Sequence, residues 1–279
     1  MRHIDGDRHP RRSHVILRAL MILRGPLFLL ALLTLGPACQ RPTRPPEPTE
    51  SLVETTPDPD PDEAAGTSPA DIEDADIEDL ERDVIEGLAD MGVRLLLAES
   101  CVEVDGRVNM DRGPVEVFAC APGGKTHESV LVLDCLPSGL HAGLLVLDLL
   151  PGRPFQYSPD GVLQPPTGDG VRIEVRWTDA DGSRQVARAE DWIWNVFEER
   201  AMERAAWIFA GSYLSPRRGE PGKTDYAADK AKSLVTTYHD ASSILENPWP
   251  GADDTRYHAN IHAVPGVGTL VTVRFTPDR

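Results

Sequence analysis

From residue 91 onward, apolar and polar positions alternate in short runs broken by Gly, Pro and Asp, the pattern of strands and turns. "CVEV" and "RVNM" flank Asp105-Gly106, a pair suited to a two-residue hairpin turn. Arg112–Pro114 then turns the chain into "VEVFACA", and Pro122–Gly124 turns it into "SVLVLD", a strand buried on both faces. Together these runs predict an antiparallel meander. "PSGLHAGLLVLDLLPG" predicts a helix with Ser138 as its cap, Leu140, Leu144 and Leu147 on one face, and Pro151-Gly152 as its stop. "PFQYSPDGVLQPPTGDG" is a loop, and "VRIEVRWTDADG" is a half-buried strand leading to a second turn at Asp181-Gly182. "ERAMERAA" reads as a short helix, while "WIFAGSY", "SLVTTYH" and "GTLVTVRF" read as strands. The fold expected for residues 91–279 is one α+β domain, a largely antiparallel β-sheet with a few helices.

Upstream the pattern changes twice. In residues 71–90, Ile72, Ile77, Leu80, Val84 and Leu88 fall near one helical face, and the opposite face is nearly all carboxylate. That predicts an acidic, weakly helical segment. Residues 39–70 contain eight prolines after Cys39 and almost no large apolar side chains. Such a stretch buries too little surface to offset its ordering entropy, so it reads as a disordered linker. Within residues 1–38, Arg24 precedes an apolar run Leu27–Leu35 and then small residues, the layout of a signal peptide. The run is 9 residues long, against the roughly 20 that a spanning helix needs. Met21 is a plausible true start. "LGPACQ" resembles a bacterial lipoprotein processing site, with Cys39 as the lipidated residue and the membrane as its partner; plain cleavage after Ala38 is the alternative.

Charge narrows the list of partners. The chain carries −17, of which residues 45–90 hold 17 acidic side chains against one Arg. The domain from 91 to 279 is only mildly acidic, so it has no field to attract phosphate backbones, and nucleic acid is not an expected partner.

Cysteine spacing gives no cofactor. Cys101, Cys120 and Cys135 include no C-x-x-C and no ferredoxin-like run, so an iron–sulfur cluster lacks ligands. An exported chain invites a disulfide, but the meander sets Cys135 three strands from Cys101, roughly 14 Å at the usual strand spacing. A disulfide needs Cα atoms within about 7 Å, so buried free thiols are expected. Ser129 sits in no G-x-S-x-G elbow, and His239 and Asp240, adjacent on a strand, face opposite ways. Trp192 and Trp194 would share one strand face as core.

The candidate chemistry lies in "GGKTHES". Two glycines let the backbone turn tightly toward a ligand. Lys125 would supply charge, His127 a proton acceptor or metal ligand, and Glu128 the orientation of either; His141 and His239 could join only through the fold. A plainer reading competes: Glu128 pins the loop by a salt bridge to Lys125 or an Arg, and His127 bonds a nearby carbonyl.

"GPVEVFACAPGGKTHESVLVLD", "LHAGLLVLDLLPG", "VRIEVRW", "EDWI" and "WIFAGS" resemble the YdjY-like domain of bacterial exported proteins and lipoproteins, over roughly residues 91–276. The resemblance implies an extracytoplasmic, membrane-anchored protein and marks Lys125, His127, Glu128 and Gly211-Ser212 as signature positions. It assigns no reaction. Two readings follow: a non-catalytic binding or structural module meeting an envelope partner or small ligand, or a small metal- or anion-binding site on the Gly123–Ser129 loop.

Overall fold

The computed structural model describes residues 74–249 and 255–279, with side chains from 79 onward. The signal-like segment, Cys39 and the linker lie outside the described residues. Eight strands form the body: β1 (Cys101–Val108), β2 (Val117–Cys120), β3 (Ser129–Leu133), β4 (Gly170–Thr178), β5 (Trp207–Phe209), β6 (Ser233–Thr236), β7 (Leu245–Glu246) and β8 (Leu270–Pro277). They pair in the order β1-β8-β4-β5-β7-β6-β2-β3, and β3 returns to β1 through Gly106↔Leu133 and Val108↔Leu131. The sheet is therefore a closed barrel. Two joints, β2–β3 and β6–β7, are parallel and the rest antiparallel.

This overturns the α+β expectation: the described residues are mostly β, a closed eight-strand barrel with three short helices among them. The physical reason is at Asp105-Gly106, which makes no turn. Cys101–Val108 is one continuous strand because both its edges are occupied, by β8 along one side and by Arg94–Leu96 and β3 along the other. Gly106 is needed for closeness: a Cβ there would lie 2.3 Å from the Val132 carbonyl oxygen. With the hairpin gone the meander fails, and β1 becomes the stave that closes the barrel.

Alternation along the staves fills the lumen. Cross-strand partners share a face, so Val104, Val273 and Val175 form one apolar row, and Val102, Phe275 and Ile173 form the next. Phe209, Leu245, Val235, Ala119, Leu131 and Val108 continue it around the ring. All are buried. Eight strands leave an interior wide enough for side chains to fill, so this barrel is a packed core.

Helix α1 (Asp74–Asp90) buries Val84 and Leu88. Helix α2 (Pro137–Val146) lies against the lumen-facing Val102, where a Cβ on Gly143 would meet Val102 Cγ1 at 2.9 Å. Its expected cap is wrong: Pro137 opens the helix, and the Ser138 N–H donates to Asp229 Oδ1 (2.8 Å) on α3 (Ala227–Ala231). "ERAMERAA" is not helical either. Arg200-Ala201 pairs with Trp194-Asn195, Met202 is buried, Arg204 forks onto Asp191 (3.0 and 2.7 Å), and Glu190 accepts from the Ala205 N–H. Tertiary anchors outweigh local helix propensity there. The Asp181-Gly182 turn does form, joining β4 to a strand at Arg184–Arg188. Trp192 is buried in a 3₁₀ turn, edge-on to Trp177, while Trp194 is only half-buried, so the two do not share one core face.

Candidate functional site

The Lys125–Glu128 cluster forms as a group, on the surface. Thr126–Glu128 is one 3₁₀ turn, held by Asn109 Nδ2 donating to the Thr126 and Ser129 carbonyls (2.6 and 2.8 Å) and by Ser129 Oγ donating to the Lys125 carbonyl (2.7 Å). Gly124 permits close approach to Lys232, whose Cβ and carbonyl oxygen would lie 2.9 Å from a Cβ. Lys125 Nζ sits between Glu128 Oε1 (2.9 Å) and Glu116 Oε2 (3.3 Å). Partial burial pulls the Lys125 pKa down, but the two carboxylates outweigh it and the net shift is upward. The ammonium is thus already compensated twice over. His127 has a side chain 78% exposed, with Nε2 3.6 Å from Glu128 Oε2.

His141 stands elsewhere. On α2, its Nδ1 lies 2.7 Å from the Tyr226 hydroxyl, and that hydroxyl donates to the Gly211 carbonyl (2.9 Å). The single phenolic proton is therefore used, and His141 Nδ1–H is the donor to Tyr226. The ring packs edge-on against Phe209 (5.0 Å between centroids) and Tyr226 (5.6 Å). Gly211, at φ +81°, makes room: a Cβ would lie 3.3 Å from His141 Cε1 and 2.6 Å from Pro151 Cβ. Desolvation holds the imidazole pKa down to about 4, and pushes the Tyr226 phenol far above its ordinary range. His141 is a neutral, positioned imidazole at physiological pH. Its contacts are with Tyr226, Phe209 and Gly211, not with the Lys125–Glu128 turn.

A third polar group joins His239, which the sequence had offered, to a glutamate that sequence reasoning missed. Glu246 on β7 is fully buried, and His239, just beyond β6, is 6% exposed. Leu245 faces the lumen, so its neighbour Glu246 faces outward. The segment 150–169, which crosses this wall, covers it. The Phe155 N–H donates to Glu246 Oε1 (3.2 Å), and the Phe155 ring lies over the His239 imidazole at 5.2 Å with a 31° tilt. His239 Nδ1 is 3.5 Å from Glu246 Oε2, within ion-pair range but long for a hydrogen bond. Both ring nitrogens and Oε2 lack a hydrogen-bond partner among the described residues. Burial raises the Glu246 pKa against the opposing pull of His239 and the Phe155 N–H. Each unsatisfied buried group costs about 1–3 kcal/mol, so the arrangement is expensive for a purely structural wall. The available signal was a lone glutamate in the apolar run "SILEN".

The same short stave links the two histidines. Phe209 touches His141, and Ile208 pairs with Glu246. The "WIFAGS" run, ending with Ser212 Oγ donating to the Ser242 carbonyl (2.8 Å), thus supports both sites. Cys101, Cys120 and Cys135 are free and buried, and burial pushes the Cys135 thiol up to about 12. Among the described residues no group of three His, Cys, Asp or Glu side chains is placed to hold a metal ion.

Comparison with known protein families matches the YdjY domain over residues 98–276. No curated protein and no solved structure matches the chain.

Proposed function

Because the chain belongs to the YdjY domain family, we propose that it is an envelope binding module, exported and held on the extracytoplasmic side by an acyl chain on Cys39. The run from Arg24 through Leu27–Leu35 to "LGPACQ", followed at once by the proline-rich linker, carries the reading. One acyl chain gives only marginal anchoring, so stable attachment takes a second signal beside it. The linker then lets the domain search a volume near the membrane.

The packed barrel places any partner outside its lumen. Its lumen is filled by side chains such as Val104, Val273 and Phe209, so a partner must meet the outer wall and the segments laid across it. Of the two sequence readings, the Gly123–Ser129 loop is the weaker, because Lys125 is already flanked by two carboxylates.

The test is metabolic labelling of the full chain with a radioactive fatty acid in a bacterial host. Wild type should take up label and sediment with membranes, and Cys39→Ser should do neither. An unlabelled wild type, or a labelled Cys39→Ser, would refute the anchor. Turnover of any substrate from a broad hydrolase and oxidoreductase panel, abolished by one point mutation, would refute the non-catalytic role.

A further inference from the structure

The buried pair on the barrel's outer wall carries an inference of its own. His239 and Glu246 are almost wholly enclosed; Nδ1 and Oε2 have only each other, at 3.5 Å, and His239 Nε2 has no hydrogen-bond partner among the described residues. Buried polar groups are normally satisfied, and exceptions call for an explanation. Phe155 packs over them and supplies a ring against the imidazole and one backbone N–H, but no side-chain donor.

Phe155 belongs to a segment that is only partly embedded in the wall. The 150–169 segment is tied by two-residue ladders, Gln156–Tyr157 with Leu163–Gln164 and Pro151/Arg153 with Gly168/Thr167. It exposes Leu150, Tyr157 (67%) and Val162. Segments with few buried contacts open at a small fraction of the cost of global unfolding. Lifting Phe155 uncovers an imidazole face with an acceptor nitrogen beside a carboxyl oxygen. An aromatic ring bearing an O–H or N–H could replace the Phe155 ring and also satisfy the nitrogen, which Phe155 cannot do. Asp240 contributes negative potential at Glu246, which disfavours an anionic ligand.

We propose that His239 and Glu246 form the floor of a ligand site plugged by Phe155, and that its ligand is a neutral or cationic aromatic group carrying a hydrogen-bond donor, of the phenol class. Glu246 orients the imidazole through Nδ1, His239 Nε2 accepts the ligand O–H in the plane of the imidazole, and the ligand ring fills the space that Phe155 vacates. The proposal rests on reading the domain as a binding module, but its test is independent of the lipid anchor.

The experiment follows histidine ring nitrogens by long-range ¹H–¹⁵N spectra of the full chain, titrated with p-cresol and, in parallel, with toluene. His239 is assigned by His239→Asn or, should that variant not fold, by its proximity to the Phe155 ring. p-Cresol should shift the His239 nitrogens saturably, and toluene should bind at least about tenfold more weakly. Phe155→Ala, with folding checked by circular dichroism, should tighten p-cresol binding about tenfold by removing the competing ring. Equal responses to p-cresol and toluene would overturn donor recognition. His239 resonances unmoved in both wild type and Phe155→Ala, or saturable shifts confined to other histidines, would overturn the site.

Discussion

Acidification tests the His141 geometry most directly. The folded imidazole has a pKa of about 4 against an ordinary value of 6.5, because a charged ring beside Phe209 and Tyr226 would lose its hydration. A depressed folded pKa means that the unfolded chain binds the proton first. Stability from this group is therefore fully present above pH ~6.5 and is lost as pH falls through ~4. A shift of this size is worth at most about 3 kcal/mol. The ring is half-buried by surface area, so solvent screening reduces the figure, to about 2 kcal/mol between pH ~7.5 and ~4.5. The assay is urea unfolding of the full chain, wild type against His141→Phe, across that range. Phe keeps the apolar contacts and removes the titration. Carboxylates elsewhere cancel in the difference, and loss of the bond to Tyr226 enters as a constant offset. The advantage of wild type over His141→Phe should shrink by about 2 kcal/mol on acidification. A difference that stays flat, or a His141 resonance titrating near its ordinary value, would refute the argument that this ring is desolvated.

The other predictions follow from packing and ion pairs. Gly211→Ala combines a φ of +81° with a Cβ 2.6 Å from Pro151, whereas Gly123→Ala has φ +82° and open space around it. Urea midpoints should show a loss of about 2–3 kcal/mol for the first and about 1 kcal/mol for the second; equal losses would mean that the contact with Pro151 does not matter. Lys125→Ala, at a half-exposed site between Glu116 and Glu128, should cost less than about 1 kcal/mol by the same assay. Cys101, Cys120 and Cys135 are buried thiols, so a disulfide reagent should leave them unmodified in the native protein and label all three in strong denaturant.

Which parts of this protein were legible in its sequence depends on what each pattern encodes. Alternation reports the face a side chain takes, so β3, β4, β5, β6 and β8 could be read directly from "SVLVL", "VRIEVRW", "WIF", "SLVT" and "LVTVRF". It does not report which strand lies alongside. The pairing of Gly106 with Leu133, which closes the barrel, leaves no local trace beyond a glycine that looked like a turn. The same asymmetry governs the sites. Lys125, His127 and Glu128 drew attention because polar residues cluster there in sequence, yet such clusters mark solvated turns, and this one neutralises itself. The consequential polar groups are spread along the chain inside apolar runs: His141 meets a tyrosine 85 residues away, and His239 meets the single glutamate of "SILEN". A charged residue where the pattern demands an apolar one is the rarer observation and therefore the more informative. Glu246 is buried with Oε1 held by the Phe155 N–H, while Oε2 has, among the described residues, only His239 Nδ1 at 3.5 Å, too long for a good hydrogen bond. Searching the strands for the wrong residue, rather than the loops for the right ones, would have led from the sequence to this wall of the barrel.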